Sequence, residues 1–407
     1  MRPSGSPSRL RRIARGAVLF LCSMSFNCQR AAGSPTEPAA PASRGVEGAQ
    51  RATPASGWAT RAPAGAAAAS TPGAAAGASP NYAFHDSHVH LTNYVQEGPH
   101  IETFVGVMGD RVGRAVVFGI PLQQLWSHRL SGDFAPTYYL HTDAPLYYYS
   151  FTDAFIAEAY RSLPKRDQAR LDPMITGFNP ADMYAAEHIR RVLLTYPGVF
   201  SGIGEFTIHK EFVSSKVAGV VPSLTDPALD RLLAFAGEVG LVALVHNDID
   251  VPFAKEKAQP VYVEQMKALL RRHPETTIIW SHLGLGRVIH PVPRHARVIQ
   301  SMLEESKLTH LHFDISWEEV AKYIVASPET VAVAADLINR YPDRFLFGTD
   351  EVAPTDPEAY LKVYRQYEPL WAALTPEASE KVRKLNYERI FDAARRRVRA
   401  WEATQIR

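Results

Sequence analysis

Two histidines placed two residues apart, His88 and His90, carry the first chemistry that the sequence suggests. They lie in the stretch FHDSHVHLTNY, which follows a long segment rich in Ala, Pro, Gly and Ser. In a β-strand, side chains two residues apart point to the same face, so both imidazoles can face one point. Two imidazoles at a strand end would supply half of the ligands of a metal site. Two ordinary polar residues in a turn would look the same, so the rest of the chain must supply the other half.

The elements that would position these histidines show as short apolar runs alternating with helical patterns. Apolar residues recur at helical spacing in 227–240, 260–273 and 293–306, for example. Eight strand–helix units favour a (β/α)8 TIM barrel of the α/β class, since eight parallel strands close this barrel. A doubly wound sheet with fewer paired strands is the alternative. The predicted strands are 82–88, 114–120, 173–179, 200–206, 241–246, 276–282, 309–315 and 344–350.

Residue types that bind metals recur where these predicted strands end. Active sites of TIM barrels lie at the C-terminal strand ends, so the ligands of a barrel metal should recur there. Any single histidine has a structural explanation, because the chain has 15 of them. Recurrence at several strand ends is harder to explain in that way and predicts a shared metal centre. The residues concerned are His88, His90, Glu205, His246, His282 and Asp350.

Composition limits the other functional classes. The chain of 407 residues is 46% hydrophobic and 21% charged, as is typical of a large globular protein. Its net charge of +2, without a clear basic stripe, argues against a nucleic-acid partner. The basic run AARRRVRA (393–400) is interpreted as a solvated helix face. Both cysteines, Cys22 and Cys28, lie near the N-terminus, so a metal site must use His, Asp and Glu.

The N-terminal region predicts export to the periplasm or secretion. Basic residues from Arg9 to Arg15 precede the apolar run GAVLFLCSMSF (16–26), which is too short for a comfortable transmembrane helix. We expect residues 1–29 to be the export signal, 30–80 to be a disordered Ala/Pro/Gly/Ser-rich tether, and 81–407 to be the hydrolase domain. Lipid attachment at Cys28 stays open, because Asn27 stands where lipoprotein signals usually carry a small residue.

Several motifs make the chain resemble the amidohydrolase superfamily, in particular its amidohydrolase-related branch of metal-dependent TIM-barrel enzymes. They are DSHVH (86–90), VHND (245–248), PETTIIWSHLGLGR (274–287), PDRFLFGTDEVAP (342–354) and, resembling the closing helix of that branch, KVRKLNYERIF (381–391). The resemblance extends from about residue 82 to about residue 392. The segment GIGEF (202–206) also resembles the strand-4 glutamate region of the metal-dependent deoxyribonuclease branch.

The resemblance implies a ligand set. One buried divalent ion, most simply Zn²⁺ with Mn²⁺ as an alternative, would be held by three imidazoles and a carboxylate, from His88, His90, His246 and Asp350. Glu205 would bridge to a second ion that His282 helps to hold. The sequence slightly favours a single essential ion, in which case His282 would polarise the substrate carbonyl instead.

The function implied by the resemblance is an exported metal-dependent hydrolase. Metal-activated water would attack a C–N or C–O bond of an amide, ester or lactone, with Asp350 moving the proton and His282 stabilising the oxyanion. Two alternatives remain: a non-oxidative metal-dependent decarboxylase, and a non-catalytic binding protein on a TIM barrel. Glu205 at strand 4 favours hydrolysis over decarboxylation. The oligomeric state is not indicated.

The substrate would meet an aromatic insertion after strand 2. This link runs from Pro121 to about Asp172 and contains TYYLHTDAPLYYYSF (137–151), including Tyr148. We expect it either to cover the strand ends as a lid that lines the pocket, or to pack against the outer helices. An aromatic lining would suit a small cyclic or aromatic substrate. Arg287 is a candidate for pairing with a substrate carboxylate.

Overall fold

Nine parallel strands form one sheet in the residues that the structure describes. The computed structural model describes residues 81–93, 97–120, 151–210, 222–254 and 257–405. The strands are β1 (Phe84–His90), β2 (Val112–Phe118), β3 (Leu171–Ile175), β4 (Gly202–Thr207), β5 (Val242–His246), β6 (Ile278–Trp280), β7 (Leu311–Asp314), β8 (Phe345–Leu346) and β9 (Glu351–Val352). They are ordered β8-β7-β6-β5-β4-β3-β2-β1-β9, so each strand from β1 to β8 pairs with its neighbour in the chain.

The last two strands share one position in the barrel and close it. β8 pairs with β7, while β9 pairs with β1. Between them, the backbone N–H of Ser87 donates to the Phe347 carbonyl (N···O 3.1 Å), and that of Asp350 donates to the His88 carbonyl (2.8 Å). The sheet therefore has no open edge at this point. The predicted (β/α)8 TIM barrel is confirmed.

Helices connect the strands, and several begin and end at the expected residue types. They are α1 (Ile101–Met108), α2 (Thr152–Ser162), α3 (Lys165–Gln168), α4 (Ala185–Thr195), α5 (Pro227–Val239), α6 (Val263–Arg272), α7 (His295–Leu303), α8 (Glu318–Ile324), α9 (Pro328–Arg340), α10 (Pro357–Tyr360), α11 (Lys362–Gln366), α12 (Glu368–Ala373), α13 (Pro376–Glu380) and α14 (Asn386–Gln405). α5 begins with a proline and ends before Gly240, whose φ of 90° is easily adopted without a side chain. α9 follows a capping box in which Ser327 and Thr330 bond each other's backbone N–H groups.

The last helix closes the N-terminal end of the barrel. Its buried residues Tyr387, Ile390, Phe391 and Ala394 form one apolar cluster with inward-facing strand residues, which are Val116, Phe118, Met174, Val242, Leu244, Ile279 and Leu346. Asn386, the first residue of α14, donates from Nδ2 to the carbonyls of Pro342 (2.7 Å) and Phe345 (2.8 Å) at the start of β8. Burial of the cluster and this fixed start hold the helix across the barrel floor.

The arginines of α14 are not simply a solvated face, as the sequence had suggested. Their guanidinium groups donate to backbone carbonyls at the barrel floor: Arg395 to Leu171 (2.6 Å), Arg397 to Gly237 (2.7 Å) and Arg399 to Phe200 (3.0 Å). These carbonyls lie where strands begin or a helix ends. The basic run therefore fastens the closing helix to the barrel.

The predicted strands all exist, with boundaries shifted by a few residues. The first strand continues through His90 instead of ending at His88, and the last is divided into β8 and β9. The end of the predicted insertion is helical, because α2 and α3 precede β3. Residues 121–150, and the export signal and tether predicted in 1–80, lie outside the described residues. Among the helices that are described, none is both long and apolar enough to span a bilayer.

Candidate metal centre

The strand-end residues converge at the C-terminal mouth of the barrel. β1 ends with His88 and His90, β5 ends with His246, and His282 comes just after β6. Glu205 lies within β4, and Asp350 lies between β8 and β9, in the strand position next to β1. Their ligand-type atoms form three overlapping sets within which every pair lies closer than 4.8 Å: His88–His282–Asp350, His88–His90–Glu205 and Glu205–His246–His282.

One side of the centre is built on β1. Asp350 Oδ1 lies 3.1 Å from His88 Nε2 and 3.0 Å from His90 Nε2. Glu205 lies slightly farther away, with Oε1 3.7 Å from His88 Nε2 and Oε2 3.9 Å from His90 Nε2. Two imidazole nitrogens and two carboxylates thus face one point, as the spacing of His88 and His90 predicted.

The other side is built on β5 and β6. Glu205 Oε1 lies 2.7 Å from His246 Nδ1 and 3.3 Å from His282 Nε2. The family resemblance had implied that His246 joins His88, His90 and Asp350, but the structure groups it with Glu205 and His282. The reason is strand order, because β5 lies between β4 and β6 and lies across the barrel from β1. Glu205 belongs to both sides, so its carboxylate is the central group.

In each of the four imidazoles, one ring nitrogen (the inner nitrogen) faces the carboxylates of the centre, and the other (the outer nitrogen) lies near an oxygen of a neighbouring group. His88 Nδ1 lies 2.9 Å from Asp314 Oδ2, His246 Nε2 lies 3.1 Å from Asp248 Oδ1, and His282 Nδ1 lies 2.9 Å from Ser316 Oγ. The fourth ring, of His90, places Nδ1 3.4 Å from the Gly119 carbonyl. A histidine that binds a metal usually donates its other N–H in this way, which leaves the inner nitrogen with a lone pair for the ion.

The inner nitrogens of His88 and His282 lack hydrogen-bond partners among the described residues. Both side chains are 0% exposed, so water does not compensate. The contact of His88 Nε2 with Asp350 is close enough for an ion pair but does not meet hydrogen-bond geometry. Leaving such a buried group unpaired costs about 1–3 kcal/mol, a cost that a bound cation would remove. Imidazole nitrogens with carboxylate oxygens are a donor set that suits Zn²⁺ or Mn²⁺, so these residues fit a divalent ion.

The carboxylates of the centre are held ionised. Burial alone would raise the pKa of Glu205, but Lys210 and His246 lower it well below its ordinary value. Burial would likewise raise the pKa of Asp350, which His88 and His282 lower well below its ordinary value. Lys210 contributes directly, with Nζ 3.4 Å from Glu205 Oε2. Two ionised carboxylates within a buried cluster provide the negative charge that a divalent cation needs.

The backbone around the centre takes unusual conformations. His282 and Leu283 have φ values of 60° and 55°, and Asp350 has a φ of 55°. Non-glycine residues with positive φ cost energy and concentrate at functional sites. At Gly348 a Cβ would lie 2.7 Å from His88 Cβ and 2.9 Å from the His88 nitrogen, so only glycine lets the eighth strand approach His88 this closely.

The sequence had suggested two residues, Tyr148 and Arg287, as contacts for the substrate. Tyr148 lies outside the described residues. The side chain of Arg287 is 61% exposed, 3.5 Å from Glu319 Oε1 and 5.7 Å from the ring centre of Trp317. Trp317 in turn lies against His282, with ring centroids 5.0 Å apart, so Arg287 is near the mouth but outside the metal centre.

Two residues of the centre were missed in the sequence: Asp314 and Ser316. Asp314 is the last residue of β7 and is fully buried. Its position at the end of the predicted strand THLHFDI (309–315) could have identified it, because active-site residues of TIM barrels lie at strand ends. Nothing in the sequence indicated Ser316, because its role depends on the ring of His282 lying beside it.

Comparison with known proteins identifies the family. The family model described as Amidohydrolase matches residues 86–393, most of the chain. A comparison with curated proteins finds no significant match.

Several solved structures align with most of the chain at low sequence identity. Dihydroorotase from Campylobacter jejuni has 14% identity and a TM-score of 0.45, covering 76% of this chain and 83% of that one. A zinc-bound amidohydrolase from Burkholderia multivorans has 13% identity and a TM-score of 0.45, covering 76% and 99%. Amidohydrolase 2 from Bifidobacterium longum subsp. infantis has 12% identity and a TM-score of 0.44, covering 77% and 100%.

The matched region begins at Asp86 and ends beyond Phe391, so it contains all six residues of the centre and every strand except the first two residues of β1. The chain belongs to the amidohydrolase family and is an enzyme of its metal-dependent type.

Proposed function

We propose that the protein is a hydrolase with a centre for two divalent ions, most simply Zn²⁺, bridged by Glu205. The observation that carries this proposal is the common orientation of the four imidazoles. Every ring has its outer nitrogen near an oxygen, and its inner nitrogen faces Glu205, Asp350 or both. His88, His90 and Asp350 would hold one ion with Glu205, while His246 and His282 would hold the other.

A bound divalent ion lowers the pKa of a coordinated water toward neutrality and polarises a substrate carbonyl. The contribution of the chain is to move the proton. Oδ1 of Asp350 faces His88 and His90, while Oδ2 lies 3.9 Å from His282 Nε2, on the opposite side of the centre. We propose that Asp350 accepts the proton of the attacking water and gives it to the leaving group.

The bond attacked is proposed to be the C–N or C–O bond of an amide, ester or lactone in a small, cyclic or aromatic molecule. Trp317 supports a flat substrate, because its ring lies beside His282 at the end of β7. Lys210 Nζ and Arg287 Cζ lie 5.9 and 5.7 Å from the centre of this ring. Cations close to an aromatic surface would favour a planar substrate that carries negative charge.

Metal analysis followed by substrate screening tests this function. The purified protein is analysed for metal by mass spectrometry, stripped with a chelator, reloaded with Zn²⁺ or Mn²⁺, and screened against amides, esters, lactones and aromatic carboxylates. Hydrolysis that disappears with the metal and returns on reloading supports the proposal. Release of CO₂ from the carboxylates, without hydrolysis of any other compound, would favour the decarboxylase instead.

A matched variant separates metal binding from general damage. His246→Gln removes a proposed ligand, whereas His312→Gln removes a buried histidine of β7 outside the centre. We expect only His246→Gln to lose metal and hydrolysis together. Equal metal content in both variants and the wild type would contradict the proposed ligand set.

We also propose that the chain is exported, on the basis of the basic residues before the apolar run 16–26. Expression of the full chain in a bacterial host, followed by fractionation and intact-mass analysis, tests this. A shortened product outside the cytoplasm is expected, and a full-length cytoplasmic product would contradict export. Labelling with radioactive palmitate shows whether Cys28 carries lipid.

A further inference from the structure

We propose that Asp314 and Ser316 are positioning residues that tie both halves of the centre to one buried carboxylate. This inference rests on the proposed metal centre and extends it. Asp314 orients His88 directly, and it orients His282 through Ser316. In the proposed assignment the two imidazoles bind different ions, so one group outside the ligand set would govern the affinity for both ions.

The hydrogen bonds of Asp314 use both of its oxygens. Oδ2 lies 2.9 Å from His88 Nδ1. Oδ1 accepts from the backbone N–H of His282 (2.7 Å), from the hydroxyl of Ser316 (2.7 Å) and from the backbone N–H of Ser316 (3.3 Å). The side chain is 0% exposed, so these hydrogen bonds, and not contacts with solvent, satisfy the carboxylate.

These contacts fix which ring nitrogen carries hydrogen. An ionised carboxylate only accepts hydrogen bonds, so His88 must donate from Nδ1. Ser316 has one hydroxyl hydrogen and gives it to Asp314, so its oxygen accepts from His282 Nδ1 at 2.9 Å. Both rings are then left with Nε2 facing inward, and these two nitrogens have no hydrogen-bond partner in the part of the chain that the structure describes.

An amide cannot replace this carboxylate. The side chain of Asn offers an acceptor on one side and a donor on the other. With its oxygen toward His282 and Ser316, its NH₂ group would face the N–H of His88. With its oxygen toward His88, the NH₂ group would face the backbone N–H of His282. Either orientation sets a donor against a donor in one half and leaves the other half a neutral acceptor in place of a charged one, so Asp314→Asn should disturb both halves, one of them more strongly. Ser316→Ala should disturb chiefly the half that contains His282, because Ser316 Oγ lies 2.9 Å from His282 Nδ1 but 3.4 Å from His88 Nδ1.

The test measures the affinity for Zn²⁺ by competition with a chromophoric chelator, which does not require a substrate. We expect Asp314→Asn to weaken one ion by about 10–100-fold, the usual effect of losing the partner of a metal-bound histidine, and the other ion by a smaller factor. Ser316→Ala should weaken the ion bound by His282 by a similar factor and the other ion much less, because His88 keeps its 2.9 Å contact with Asp314. Each variant is also unfolded thermally without metal, to measure damage to the fold.

Two controls match the variants. Asp153→Asn changes a buried aspartate whose two oxygens accept from the backbone N–H groups of Thr176 and Gly177 (2.8 and 2.9 Å) and which belongs to none of the three ligand sets. Ser201→Ala changes a buried serine whose hydroxyl has no hydrogen-bond partner within the described ranges. Both controls should keep wild-type affinity for Zn²⁺, whatever they do to the unfolding temperature.

The outcomes separate this inference from the proposed function. A wild type that binds two ions, together with an Asp314→Asn variant of unchanged affinity, would overturn the inference and leave the metal centre intact. If Asp314→Asn does not fold, Ser316→Ala decides: loss of affinity for one ion supports the inference, and unchanged affinity overturns it. A wild type that binds no metal would overturn both.

Discussion

The buried histidine at the floor of the barrel, His312, should make the protein sensitive to acid. Its ring is 5% exposed, with Nδ1 3.2 Å from the His310 carbonyl and Nε2 3.4 Å from a guanidinium nitrogen of Arg389. Burial, followed by the charges of Arg389 and Arg344, lowers the pKa of His312 from 6.5 to about 3. The native protein therefore resists protonation of this ring at a pH where the unfolded chain accepts it.

The sign and size of the effect follow from that pKa. Because the folded pKa is depressed, stability is complete above about pH 6.5 and is lost as the pH falls toward about 3. One pKa unit corresponds to about 1.4 kcal/mol of unfolding free energy. Titration of His312 should therefore lower the unfolding free energy by about 2 kcal/mol between about pH 7 and about pH 5. His312→Gln removes the titrating group, while its amide can still contact the His310 carbonyl and Arg389.

The assay is urea unfolding of the metal-free wild type and His312→Gln at both pH values. Other titrating groups contribute equally to both proteins and cancel in the difference between them. On acidification from about pH 7 to about pH 5, the unfolding free energy of the wild type should fall by about 2 kcal/mol relative to that of His312→Gln. His100→Gln, at an exposed position, controls for the loss of one histidine. A difference that does not change between the two pH values would refute the account of His312 as a buried neutral ring.

Three further substitutions test the site and the floor. Asp350→Asn should keep the fold and much of the metal but lower turnover by about 10²–10⁴-fold, the usual contribution of a positioned acid–base group; near-full activity with metal bound would remove Asp350 as the proton carrier. Gly348→Ala should displace His88 and lower both Zn²⁺ affinity and melting temperature, at a cost of about 1–3 kcal/mol in packing, and unchanged affinity would show that the close approach is unimportant. Asn386→Ala leaves two backbone carbonyls without donors and should reduce the unfolding free energy by about 1–3 kcal/mol without changing metal content.

The barrel and most of the candidate site could be predicted from the sequence. The alternation of apolar runs with helical patterns indicated eight strand positions, because each strand here is buried by helices and reads as an apolar run. The rule that TIM-barrel chemistry lies at strand ends then selected His88, His90, Glu205, His246, His282 and Asp350, and the structure brings all six together.

What the sequence did not predict depends on contacts across the barrel. The partners of His246 follow from strand order around the closed sheet, which spacing along the chain does not reveal. The basic run of α14 looked like a solvated face because its carbonyl acceptors, such as that of Leu171, belong to distant strands. Ser316 acquires its role only because the His282 ring lies beside it.

The central claim, a centre for two ions bridged by Glu205, is tested most directly by metal stoichiometry. The wild type and Glu205→Gln are loaded with Zn²⁺, freed of excess metal and analysed by mass spectrometry. Glu205 contacts both halves, with His246 at 2.7 Å and His88 at 3.7 Å, so we predict two equivalents of Zn²⁺ in the wild type and one in the variant. A wild type that retains no more than one equivalent, or a Glu205→Gln variant that retains two, would contradict the bridged centre.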